Sequence, residues 1–95
     1  MNIHRNASGT ALTLTLEGRL DTTTAPLLDA ELKKSIAGVT ELILDFEKLE
    51  YISSAGLRVL LSTQKTMNKQ GTMVIRHVNE TVMEVFEVTG FVDIL

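Results

Sequence analysis

Cysteine is absent from the 95 residues, which excludes disulfides, thiolate chemistry and cysteine-held metal centres. Tryptophan is absent too. One tyrosine and three phenylalanines are the only aromatics, so the core has to be mainly aliphatic. There is a single proline, and no apolar run is long enough to span a bilayer. Positive charge is also short: nine Lys and Arg stand against twelve Asp and Glu, a formal net charge of −3. With no basic run and no series of stacking aromatics, a nucleic-acid ligand is not expected, because phosphates need a basic surface. The start, Met1-Asn2-Ile3-His4-Arg5, leads into polar residues, so neither a signal peptide nor a membrane anchor is expected and the expected location is the cytoplasm. No Gly-x-Gly-x-x-Gly and no Walker-type loop is present, so the chain itself is a poor candidate to bind ATP.

An apolar fraction of 44% and a charged fraction of 22% are those of an ordinary globular domain. The length predicts one domain over residues 1–95 with one core. Residues 2–7 and 11–17 read as two strands around Ser8-Gly9-Thr10, the second with Leu12, Leu14 and Leu16 alternating against Thr13, Thr15 and Glu17. Gly18-Arg19-Leu20-Asp21 is expected to leave the strand. Pro26 suits the first turn of a helix from about Ala25 to Ile36, whose Ala25, Leu28, Leu32 and Ile36 share a face. Thr40 to Phe46 reads as a strand covered on both faces, and Glu47-Lys48-Leu49-Glu50 as a polar turn. A second helix from about Ser54 to Lys69 carries Leu57, Leu60, Leu61, Gln64 and Met67 inward and Arg58, Ser62 and Lys65 outward. A strand over Met73–Val78 follows. Asn79 then caps a third helix from Glu80 to Thr89, which Gly90 stops and Phe91 folds back upon. A short last strand is expected over 92–95. The fold class is a small mixed α/β sheet, β-β-α-β-α-β-α, with right-handed crossovers that put the helices mainly on one side.

The stretch Tyr51-Ile52-Ser53-Ser54-Ala55-Gly56-Leu57-Arg58 is where function is expected, since it puts two hydroxyls and a glycine where a strand hands over to a helix. Local sequence reads Ser54 as an N-cap, and Gly56 as a residue that lets another backbone or an anion come close. Other motifs carry less. Ser62-Thr63-Gln64-Lys65 matches Ser-x-x-Lys but sits inside a helix without its companion elements. Asn79-Glu80-Thr81 is a glycosylation pattern that helix capping explains. His4 and His77 lack paired ligand spacing, so no metal site and no cofactor are expected. Asp45 is expected to bond the turn at Glu47–Leu49, and Asp21 to cap a helix. No general base is evident beside Ser54, so catalysis is not expected either.

Gly18-Arg19-Leu20-Asp21, Leu44-Asp45-Phe46 and Tyr51-Ile52-Ser53-Ser54-Ala55-Gly56-Leu57, in this order and spacing, resemble the STAS domain and, more narrowly, the bacterial anti-sigma factor antagonists. The resemblance covers nearly the whole chain. It implies a partner-switching protein and not an enzyme. The unphosphorylated form would bind an anti-sigma factor that is also an ATP-dependent serine kinase, and so free a sigma factor. Phosphorylation at Ser54 would end the complex, and a serine phosphatase would reset it. Ser53 stands where the family often has aspartate, and Asp21 matches a loop aspartate beside the serine. The binding face implied is Asp21, Thr22 and Thr23, then Ser53, Ser54, Ala55 and Gly56, then Arg58 and Ser62. The second reading is a STAS-type scaffold or sensor module that binds a kinase or small ligand without a sigma factor.

Overall fold

The alternation of Leu12, Leu14 and Leu16 commits their strand to one buried face, and the chain carries that alternation on through Gly18 to Leu20. The computed structural model describes residues 1–91. Its elements are β1 (Asn2–Ser8), β2 (Ala11–Leu20), α1 (Ala25–Ser35), β3 (Glu41–Ile52), α2 (Ser54–Met67), β4 (Thr72–Arg76) and α3 (Glu80–Thr89). The sheet runs β1-β2-β3-β4, with β1 antiparallel at one edge and the other three strands parallel. This is the expected mixed sheet. The short strand expected over 92–95 lies outside the described residues.

One core joins the leucines of β2 to Leu42, Leu44, Phe46, Leu49 and Ile52 of β3. Leu28 and Leu32 of α1, Leu57, Leu60 and Met67 of α2, and Val82 and Phe86 of α3 belong to the same core, so the three helices cover one face of the sheet. Phe46, Phe86 and Phe91 close the α3 end, with Phe86 and Phe91 ring centroids 5.0 Å apart. Among the described residues no helix covers the other face. Thr13, Ile43 and Val74 stand side by side across it, and Val74 is 41% exposed.

Two strands run further than the sequence pattern indicates. β2 does not leave the sheet at Gly18, and Glu47-Lys48-Leu49-Glu50 is not a turn but the middle of β3. The cause is a pair of bulges. Thr15 pairs with Asp45 but Glu17 with Lys48, and Gly18 pairs with Leu49 but Arg19 with Tyr51, so β3 carries one extra residue at each step. Each extra residue resets the alternation, and the core positions of β3 therefore fall at 42, 44, 46, 49 and 52. Asp45 serves the first bulge: its Oδ1 accepts from the Glu47 N–H at 3.0 Å. At the far end of the sheet Gly71 lies against the loop before β3, where a Cβ would run into the Thr40 carbonyl.

Asp45 Oδ1 also meets His77 Nδ1 at 2.9 Å, just past the end of β4. The hydrogen bond from His77 holds the Asp45 carboxyl below its ordinary value. The same bond, with the charges of Asp45 and Glu47 against that of Arg76, raises the His77 imidazole. The raised His77 contributes stability below pH 6.5, lost as pH climbs through its folded value; the lowered Asp45 contributes above pH 3.8, lost as pH falls through its own. Both contributions are complete between those limits. In buffer with a chelator, an NMR titration should give His77 a midpoint above 6.5, and Asp45→Asn should return it towards that value. An unchanged midpoint in the variant would show that the pair is not the cause.

Candidate functional site

Because β2 and β3 are parallel and in register at their ends, with Leu20 opposite Ile52, the loops that leave them emerge side by side. That is the C-terminal edge of the parallel strands, where α/β sheets place their ligands. The Ser53 N–H donates to the Leu20 carbonyl at 2.8 Å, tying the turn before α2 directly to the residue before Asp21.

The N-cap of α2 is Ser53 and not Ser54. Ser53 is extended, at φ −100° and ψ 175°, its carbonyl accepts from Leu57 N–H at 3.0 Å, and its hydroxyl accepts from Gly56 N–H at 3.4 Å. Either serine could cap; the end of β3 at Ile52 decides which one does. Ser54 is thereby the first helical residue. It is exposed, and no capping bond engages its hydroxyl among the described residues. No acidic residue occupies the first turn of α2, so the positive end of its dipole is uncompensated there.

Gly56, expected on the binding face, is buried beneath it. A Cβ at this position would lie 2.7 Å from Leu20 Cγ and 2.9 Å from Ile52 Cγ1. The glycine lets the first turn of α2 sit directly on the ends of β2 and β3, and so sets the height at which Ser54 is presented.

The loop beside it is built on Asp21. Its Oδ1 accepts from Thr23 N–H at 3.0 Å, the Thr23 hydroxyl at 2.8 Å and Thr24 N–H at 3.1 Å. The Thr23 hydroxyl first, then the Thr24 and Thr23 N–H groups, hold the Asp21 carboxyl below its ordinary value, so it is ionised in neutral solution. Thr24 occupies the N-cap position of α1 but makes no capping bond with its side chain. Its hydroxyl donates to the Arg19 carbonyl at 2.8 Å and accepts from Asp21 N–H at 2.8 Å. Thr22 and Thr23 are left exposed at the tip.

Thr22 also lines a groove of about 290 Å³ between the starts of α1 and α2, with Ala25, Pro26 and Asp29 on one wall and Ala55, Arg58 and Val59 on the other. Ser62 lines a smaller hollow further along the same pair of helices, with Asp29, Lys33 and Thr66. Of the expected residues, Thr22, Ala55 and Arg58 share the groove and Ser62 lines the hollow beyond it, the two joined through Asp29, while Thr23 and Ser54 are exposed and Gly56 is buried. Pro26, Asp29 and Val59 were not expected there. Arg19 was not either: its guanidinium lies 4.6 Å from the centre of the Tyr51 ring and its Nε 4.0 Å from Asp21 Oδ2, on the β3 side of the loop. The signal for Arg19 was its place in the Gly18–Asp21 motif.

Among the described residues no helix is long and apolar enough to cross a membrane. Comparison with known proteins matches residues 2–95 to the STAS domain. BtrV of Bordetella bronchiseptica, which carries the name of an anti-sigma factor antagonist, is 41% identical over 81 residues, 83% of this chain and 70% of that protein. The anti-sigma-B factor antagonist of Bacillus subtilis is 25% identical over 96 residues, 100% of this chain and 88% of that one. The phosphorylated form of the Bacillus cell fate determinant SpoIIAA shares the fold, with a TM-score of 0.75 at 21% identity, covering 97% of this chain and 86% of that one. The chain is a STAS domain and belongs to the family of the anti-sigma factor antagonists.

Proposed function

We propose that this protein binds, in its unphosphorylated form, an anti-sigma factor that is also an ATP-dependent serine kinase, and that phosphorylation of Ser54 releases it. A serine phosphatase resets the cycle. The observation that carries this reading is Ser54 itself: an exposed hydroxyl, free of capping duty, at the first position of α2 beside the ionised Asp21 loop. SpoIIAA, which shares the fold, exists in a phosphorylated form, and that supports the same chemistry here.

The electrostatics suit a local switch. A phosphate brings about −1.5 to −2 charge. At the start of a helix the dipole and the free N–H groups accept that charge, and Arg58, one turn on, faces the same side. Inside a protein interface the same charge is desolvated beside Asp21. The fold keeps its shape while the complex loses its stability.

The test is intact-mass analysis after incubation with the cognate anti-sigma factor, ATP and magnesium. One added phosphate is expected on the wild type and none on Ser54→Ala. Phosphate on Ser53 would move the switch by one residue. No phosphate on either serine, with a kinase shown to be bound and active, would leave a constitutive binding module and end the proposal.

A further inference from the structure

We propose that Asp45, Glu47 and His77 form a surface site for a divalent transition cation of the zinc type, one that clamps the first bulge of β3 to the connection between β4 and α3. The site is separate from the α2 turn and does not depend on the switch. Each of the three residues offers one ligand atom, and these atoms all lie within 4.8 Å of one another. Two of them, His77 Nδ1 and Asp45 Oδ1, stand 2.9 Å apart across a hydrogen bond, and a cation that takes both atoms displaces the proton between them to solvent or to Nε2. Bonds of about 2.1 Å from one cation place neighbouring ligands roughly 3.0 Å apart in an octahedron and roughly 3.4 Å in a tetrahedron. Glu47 is exposed, and a side-chain rotation brings its carboxylate in.

The backbone is shaped for this meeting. His77 has φ 58°, a conformation uncommon outside glycine, and the turn it makes carries the imidazole back over Asp45. The donor set selects the ion. Two carboxylates balance a dication, and an imidazole favours zinc-type ions over magnesium or calcium, which require oxygen ligands in greater number. Arg76, beside the pair, opposes the cation and keeps the affinity modest. The other histidine is a built-in control. His4 has Glu17 at 3.8 Å and no third carboxylate or imidazole grouped with it among the described residues.

The experiment is a zinc chloride titration of the whole chain, followed by histidine ring NMR and by calorimetry. The His77 ring signals should move to saturation with a stoichiometry of one, while those of His4 stay in place and magnesium has no effect. His77→Asn, which tolerates the positive φ, and Asp45→Asn should each weaken zinc roughly tenfold or more. Arg76→Gln should tighten it. His77 signals unmoved at millimolar zinc would overturn the site. So would an unchanged affinity in both variants, or a response centred on His4.

Discussion

Ser54→Asp should fold like the wild type and fail to hold the anti-sigma factor. Position 54 is the first residue of α2, whose first turn has no acidic residue. A carboxylate there contributes about 0.3–1 kcal/mol to an exposed helix start, so the thermal midpoint should stay level or rise slightly. Binding should move the other way. Burying a charge in an interface without a partner costs about 2–4 kcal/mol, which is a loss of roughly 30-fold to 1000-fold in affinity. Ser54→Ala removes only a hydroxyl, and its affinity should stay within roughly threefold of wild type while phosphorylation disappears. Calorimetric titration of both variants with the cognate partner, alongside thermal unfolding, separates the cases. Wild-type affinity in Ser54→Asp would mean that this end of α2 lies outside the interface. A marked loss of stability in Ser54→Asp would mean that the charge acts on the fold and not on the complex.

The fold was legible wherever leucine spacing follows one rule. Leu12, Leu14 and Leu16 place β2, Leu28 and Leu32 place α1, and Leu57, Leu60 and Met67 place α2. The reading failed where the rule changes within an element. Glu47, Lys48 and Glu50 look like a turn because two bulges interrupt the alternation of β3, and only the pairing with β2 shows the strand continuing. The N-cap of α2 falls at Ser53, one residue before the serine that local sequence favours. Two serines in succession give the same local signal, and the true end of β3 distinguishes them. Asp21 and Ser54 could be associated through the family resemblance, but the reason they are neighbours is the parallel pairing of Leu20 with Ile52. Asp45 and His77 are 32 residues apart, and no local pattern brings them together.

The two glycines that seat helix against sheet and strand against loop offer the sharpest separation of fold from function. In Gly56→Ala the new Cβ would meet Leu20 Cγ at 2.7 Å and Ile52 Cγ1 at 2.9 Å, both belonging to side chains with no exposure and no room to turn away. Overpacking of this kind costs about 1–3 kcal/mol. Better helix propensity returns less than about 1 kcal/mol, so the clash wins. The expected fall in thermal midpoint is roughly 5–15 °C for a domain of this size. In Gly71→Ala the Cβ would meet backbone, 2.6 Å from the Thr40 carbonyl carbon, and would force apart the bond from Thr72 N–H to the Thr40 carbonyl. Backbone yields less readily than a side chain, so about 3 kcal/mol or more is expected, and the larger drop in midpoint. The order should reverse for binding. Gly71 lies at the opposite end of β3 from the α2 turn, so folded Gly71→Ala should bind the partner with wild-type affinity. Gly56→Ala lifts the first turn of α2 from the strand ends and moves Ser54 relative to Asp21. Even at a temperature where it is fully folded, it should bind more weakly and take phosphate more slowly. Equal binding by the two folded variants would show that the height of α2 above the strand ends does not matter to the partner.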